Sequence, residues 1–366
     1  TPDNYDVLNS KAKLTLNNDK YDFTAGFESY ENLQLISSDR YQYILPYYSF
    51  DKQIFTEFDK GFINFSSFGS NDLNNTNNLK SRVINDLNFQ SLDLMTDYGF
   101  KNNYNIYMKN LNTTAKNDSQ YKSSPQVELM SILEFNTSLP MIDENENNVN
   151  YLTPKISLRF NPGDMKNYSD ADRKVSVNNI FEINRLGIDD SFEEGKSLTM
   201  GVDFKKTNIL DINKFFEAKL ATVYREDDDN FIPSSSGIDK KNSNFFGSIS
   251  NNFSEFINVG YDFIIDNDFN TLKYNSLNTT LNFKNLTTEL NFIEENGEFG
   301  DANTIENKTK LKFNDDNYLT FNSRRNRKIS LTEYYDLVYE YQNDCLTAGI
   351  KYRKTYYQDR DLKPKE

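Results

Sequence analysis

From Ile257 to Ile265 every second residue is apolar: Ile257, Val259, Tyr261, Phe263 and Ile265, with Asn258, Gly260 and Asp262 among the positions between. A β-strand turns successive side chains to opposite faces, so such a run gives a strand one greasy side and one wet side. The pattern recurs along the chain. Tyr21, Phe23, Ala25 and Phe27 show it, as do Tyr104, Ile106 and Met108, and Leu198, Met200, Val202 and Phe204. So do Phe216, Ala218, Leu220 and Tyr224, then Leu277, Leu281 and Phe283, then Leu286, Leu290 and Phe292. Near the end come Tyr335, Leu337, Tyr339 and Tyr341, then Leu346, Ala348, Ile350 and Tyr352. Hardly any stretch has helical spacing. The fold class is therefore all-β, and the open question is what medium the greasy faces touch.

Composition narrows the answer. Mean hydropathy is -0.76 and apolar residues make up 37%, which is low for a protein with a deep dry core. Aromatic residues reach 14%, with 29 Phe and 24 Tyr, which argues against a disordered chain. High polarity with many aromatics fits a membrane barrel with a wet interior and an outer surface ringed by Tyr and Phe. No apolar run is long enough for a transmembrane helix, but barrel strands hide inside a polar average. Each run has about the length a tilted strand needs to cross a bilayer, roughly 9–11 residues. The length of the chain then accommodates roughly 16–20 strands of a large antiparallel transmembrane β-barrel. Connections rich in Asn and Asp, such as Asp266-Asn267-Asp268 and Asn314-Asp315-Asp316-Asn317, are predicted hairpin turns. The polar stretches 143–150, 226–243 and 294–307 are predicted loops. No Pro/Gly/Ser-rich linker divides the chain, so residues 1–366 are expected to form one barrel domain. The opening Thr1-Pro2 reads as a point within a longer protein whose export signal lies upstream. The rival fold is a soluble β-sandwich, whose greasy faces would interlock in a sealed interior rich in aliphatic residues.

Several function classes are disfavoured. The net charge of -14 argues against nucleic acid as a partner. Histidine is absent, which removes the commonest general base and metal ligand. No nucleophile elbow, phosphate-binding loop or metalloprotease motif occurs, so no catalytic residue, cofactor or metal site is expected, and the protein is not expected to be an enzyme. The segment Asp266–Asn270 begins like a calcium loop, but Thr271 stands where the turn needs Gly and Leu277 where a bidentate Glu is required. Arg324, Arg325, Arg327 and Lys328 form the one dense basic cluster. It reads either as a solvated turn or, less favoured, as a holder of lipid phosphate. Cys345 is the single cysteine, so no disulfide can close within the chain. It is either a small residue at a strand end or one half of a bridge whose partner lies outside this chain.

Three stretches together resemble one family. The first is Asp39-Arg40-Tyr41 with Leu45-Pro46-Tyr47-Tyr48. The second runs through Leu152-Thr153-Pro154-Lys155, Asn161-Pro162, Ile180-Phe181, Asn184-Arg185, Gly187-Ile188-Asp189 and Glu194-Gly195-Lys196-Ser197-Leu198-Thr199-Met200-Gly201. The third is Tyr339-Glu340-Tyr341-Gln342-Asn343-Asp344-Cys345-Leu346, with Tyr352 and Tyr356-Tyr357. These resemble the C-terminal barrel of the LptD family of lipopolysaccharide-assembly proteins. The resemblance implies a translocon component that inserts lipopolysaccharide into the outer leaflet of a Gram-negative outer membrane. Saccharide would pass through a polar lumen and lipid would leave by a lateral gate. The implied partners are lipopolysaccharide, an LptE-like plug lipoprotein, periplasmic lipopolysaccharide-bridge proteins and outer-membrane lipid. It also implies that Cys345 pairs with a cysteine of the N-terminal region. It further implies that the N-terminal periplasmic domain, the first barrel strands and at least one strand beyond Pro364-Lys365-Glu366 belong to the family's full length, so no gate residue is assigned. The sequence departs from the family pattern at Asp189-Asp190, where an acidic-basic pair is commoner, and in having one cysteine with Asp344 before it. The alternatives are a general diffusion porin or ligand-gated outer-membrane importer, and a β-rich surface adhesin.

Overall fold

The computed structural model describes residues 7–35, 38–55 and 61–356. The opening Thr1-Pro2, the second tyrosine of Tyr356-Tyr357 and the closing Pro364-Lys365-Glu366 lie outside these described residues. Twenty strands carry the fold. They are β1 (Val7–Asn18), β2 (Tyr21–Asn32), β3 (Tyr41–Phe55), β4 (Gly61–Asn74), β5 (Asn78–Ser91), β6 (Leu94–Met95), β7 (Lys101–Lys116), β8 (Gln126–Ser138), β9 (Met141–Glu144) and β10 (Asn148–Asn161). There follow β11 (Gly195–Asn208), β12 (Phe215–Arg225), β13 (Phe245–Ser254), β14 (Ile257–Ile265), β15 (Leu272–Phe283), β16 (Leu286–Glu295), β17 (Asn303–Lys312), β18 (Asn317–Asn326), β19 (Leu331–Gln342) and β20 (Thr347–Thr355). Three single-turn 3-10 helices are the only helical pieces among the described residues.

The chain divides into two compact units. The first comprises residues 1–137, 158–166 and 188–196, and the second residues 138–157, 167–187 and 197–366. In the first unit β1 to β5 and β7 follow one another as an antiparallel meander, with β6 a two-residue addition to β7. In the second, β9 and β10 form a hairpin and β11 to β20 form a meander in sequence order. Local chemistry closes the tight turns. Asn75 and Thr76 take positive φ between β4 and β5, and the Asn145 side chain accepts the amides of Asn147 and Asn148 between β9 and β10. Lys312 Nζ, 2.7 Å from Asp315, holds that turn carboxyl below its usual range.

The faces of the strands are inverted relative to a soluble sheet. In β10, Leu158 is 51% exposed and Phe160 39%, while Arg159 between them is 6% exposed. In β8, Leu133 (46%) and Phe135 (44%) flank Glu134 at 5%. The same holds for Tyr104, Ile106 and Met108 in β7, and for Leu337 and Tyr339 in β19 opposite Tyr352 and Ile350 in β20, all exposed. A sandwich would seal these side chains between its sheets, so the soluble alternative is excluded and hydrocarbon is the medium that makes this surface stable. The architecture is that of a large antiparallel β-barrel, with as many strands as the upper end of the range expected from sequence.

Two predicted loops are shorter than their polarity suggested. Of residues 143–150 only 145–147 are unpaired, because Asp143 and Glu144 pair with Asn150 and Val149. Of residues 294–307 only 296–302 lie between strands, since Glu294 pairs with Asn303. Wet-side positions of a barrel strand tolerate Asn, Asp and Glu, so polarity alone does not end a strand there.

In the second unit the connections fall into two classes. Those at 209–214, 255–256, 284–285, 313–316 and 343–346 lie at one end of the strands and are short. Those at 226–244, 266–271, 296–302 and 327–330 lie at the other end and include the long one.

Candidate functional site

The wet faces are not bare. The β10–β11 connection, residues 162–194, and its neighbours lie against them in each unit. In the first unit three charged clusters hold it. Arg159 of β10 reaches Glu193 of the connection at 3.2 Å and Glu134 of β8 at 3.5 Å, all three side chains being buried. Asn161 donates to the Glu193 carbonyl at 2.9 Å, and Glu194 accepts the Met165 amide at 3.0 Å. Asp190 accepts hydrogen bonds from Tyr121 and Gln120 and lies 3.7 Å from Lys166, which also reaches Glu128 at 3.2 Å. Finally, Phe192 meets Tyr107 edge-on, with 5.1 Å between ring centroids. Lys109, paired with Asp86 directly opposite at 2.8 Å, lies 5.2 Å from the Phe192 ring. Charges out of water persist only when paired and hydrogen-bonded, so these clusters fix where residues 188–194 sit.

In the second unit Arg185 plays the corresponding part. It is buried and donates to Thr199 at 2.9 Å, Ser197 at 3.3 Å and the Ile180 carbonyl at 3.4 Å. Phe181 packs on Gly201, where a Cβ would come within 2.9 Å of the ring, so only glycine permits this approach. Lys155 lies 4.4 Å from the centre of the Phe181 ring while bonded to Asp203 at 2.8 Å. Further along, Lys174 pairs with Glu295, and Asn178 accepts from Lys219 at 3.3 Å. Residues 226–244 and 296–302 join the cover. The Tyr168 amide donates to the Phe231 carbonyl, and Ser235 links to Ala171 and Arg173. Ile232, Ile238, Phe246 and Phe299 are fully buried among these loops. A cavity of about 300 Å³ remains beside them, lined by Lys174, Val175, Asp262, Phe263, Tyr274 and Glu295.

The sequence reading did not assign Arg159, Glu134, Glu193 or Lys109 to any site. The only trace was positional: Leu158 and Phe160 mark Arg159 as a wet-side residue. Cys345 is exposed, in the 343–346 turn between β19 and β20, with its amide bonded to the Asn343 side chain. The Asp266–Asn270 segment is a turn in which Asp266 caps the Asn270 amide, and no group of potential metal ligands occurs among the described residues. The basic cluster is split: Arg324 pairs with Glu306 and Glu333, and Lys328 with Asp301.

Taken together, the inverted strands and the folded-in connections define a transmembrane β-barrel protein. No family model matches the chain, and no curated protein does. Among solved structures it is similar to a mutant ferric enterobactin receptor, PfeA, of Pseudomonas aeruginosa, at 7% identity and a TM-score of 0.40, covering 95% of this chain and 65% of the receptor. It is also similar to the siderophore receptor PirA of the same organism, at 9% identity and a TM-score of 0.43, covering 95% and 66%. The ferric-catecholate import receptor Fiu of E. coli K12 follows at 10% identity and a TM-score of 0.39, covering 95% and 68%. The chain thus spans 65% of the length of the first of these receptors, and the likeness concerns fold alone.

These findings overturn the LptD resemblance. The structures matched are siderophore receptors, and no sequence comparison supports the assembly family. With it fall lipopolysaccharide insertion as the function, and lipopolysaccharide, an LptE-like plug and periplasmic bridge proteins as partners. The motifs that suggested it have local explanations. Gly187 and Gly195 take positive φ at turns, Asn161 and Arg185 hold backbone and hydroxyls, and Lys155 pairs with Asp203. Any barrel that folds a long connection against its wall needs such residues.

Proposed function

We propose that this chain is a ligand-gated outer-membrane importer, a transport protein with no catalytic role, whose polar passage is kept shut by residues 162–194. The observation that supports this reading is the set of buried ion pairs and close aromatic contacts between that connection and the wet faces. A diffusion porin works by leaving an aqueous column beside its polar wall. Here the wall is covered, by specific paired charges and hydrogen bonds together with buried apolar side chains such as Ile180, Ile188 and Phe192. The paired charges among them can exchange for water or ligand, while Met165, Val175, Ile180, Ile188 and Phe192 form an apolar seal that opening has to uncover. An adhesin would keep its strand faces in water, whereas these expose Leu, Phe and Tyr in rows. One of the matched receptors is described as an import receptor. The present reading rests on the contacts of residues 162–194 instead.

Single-channel conductance in planar bilayers tests the proposal. The unaltered protein is expected to be closed, and Arg159→Gln to conduct, because Glu134 and Glu193 are then left facing one another without their cation. Porin-like conductance in the unaltered protein would exclude a gate.

A further inference from the structure

The basic cluster near the end of β18 contains two arginines with no carboxylate partner among the described residues. Arg324 lies on the wet face and is neutralised by Glu306 and Glu333, and Lys328 by Asp301. Arg325 and Arg327 make no ion pair among the described residues, in a chain with fourteen more acidic than basic groups. Register shows where Arg325 sits. It stands opposite Ile305, which is next to Phe292 and then Leu277 along the same cross-strand row. Leu277 and Ile305 are exposed, so this is the lipid-facing side. Arg327 lies over the Phe292 ring at 5.3 Å, on the same side. Two strands away Lys354 shares that face through the row Ser323, Tyr335, Lys354, again without a carboxylate partner among the described residues, and packs 5.0 Å from the Tyr356 ring.

Unpaired cations in the middle of a hydrocarbon-facing surface would be costly. At its rim they meet lipid headgroups, with aromatic rings marking the level of the interface and long side chains reaching to it. Arg325 is the second-last residue of β18, Arg327 follows the strand, and Lys354 is the second-last residue of β20, so all three lie at the strand ends that carry the longer connections. We propose that Arg325 and Arg327, with Lys354, bind the phosphate of a membrane lipid headgroup at the rim of β16 to β20. Guanidinium forks suit a phosphate, and the greasy row below them suits the acyl chains. A free phosphate ion would have no use for that row, so the ligand is the lipid.

The test uses the full chain in dodecyl maltoside, with native mass spectrometry reading bound lipid. Dioleoyl phosphatidylglycerol is expected to be retained in preference to dioleoylglycerol, which lacks the phosphate. A near-surface cation contributes about fivefold to such binding, so Arg325→Gln with Arg327→Gln is expected to lower retention roughly twenty- to thirtyfold. The corresponding Lys substitutions should keep most of it. The single Arg325→Gln variant breaks no ion pair among the described residues and carries the same test, at about fivefold, should the double variant fail to fold. Unchanged retention in the folded variants, equal retention of both lipids, or displacement of phosphatidylglycerol by inorganic phosphate at equal phosphorus would each overturn the proposal.

Discussion

Arg159 shows how much one side chain can hold in place. Its guanidinium is the shared cation of Glu134 and Glu193, which come from a strand and from the connection that covers it. Removing it leaves two carboxylates buried together, so Arg159→Met is expected to destabilise the protein by about 3–5 kcal/mol. Replacing all three residues by apolar ones of similar size is expected to recover most of that loss. The shift of the folded band on heating before gel electrophoresis measures both variants. Gly201 is the second sensitive position. A valine there drives a methyl into the Phe181 ring, so Gly201→Val is expected to dislodge residues 180–187 and raise conductance. Adding Phe181→Ala should remove the clash with the ring, but not the approach of the Leu220 carbonyl, 3.0 Å from the new Cβ, and leave Arg185 to hold the segment.

At the scale of a strand, the deciding quantity is which face meets which medium. In a soluble protein an exposed leucine is replaced by arginine at little cost, within about 0.5 kcal/mol. In a membrane strand near mid-height the same change costs about 2–4 kcal/mol. Leu133→Arg in β8 is therefore expected to destabilise the barrel in lipid vesicles by the larger amount, measured by urea titration of refolding. A cost near zero would refute the lipid-facing assignment. Alternation made this much readable in advance. Tyr104, Ile106 and Met108 announce the outer face of β7, and Met200 that of β11. Strand ends were less legible, because Asp143, Glu144, Glu294 and Asn303 are strand residues with the composition of a loop.

At the scale of the molecule, orientation follows from the unequal connections. Outer-membrane barrels place short turns in the periplasm and longer loops outside. The 343–346 turn belongs to the short class, so Cys345 is expected to face the periplasm. A membrane-impermeant maleimide should leave Cys345 unlabelled on intact cells and label it once the outer membrane is permeabilised. Labelling of intact cells would reverse the assignment, and with it the side from which the covered passage receives its ligand.

The exposed rows of Leu, Phe and Tyr decided the medium, while periodicity and composition by themselves determined the all-β class and the approximate number of strands. These follow from a two-residue repeat that each strand carries within its own sequence. The short motifs that resembled another family misled because turn glycines, caps and paired charges recur wherever a long connection folds back. What covers the wet wall was decided only by tertiary structure. Arg159 meets Glu193, Tyr121 meets Asp190 and Phe181 meets Gly201 across tens of residues, and nothing in the local pattern of either partner specifies the other. The same holds for the basic cluster: its four cations look alike in sequence, and only the folded strand and turn divide those that find a carboxylate from those left facing the lipid.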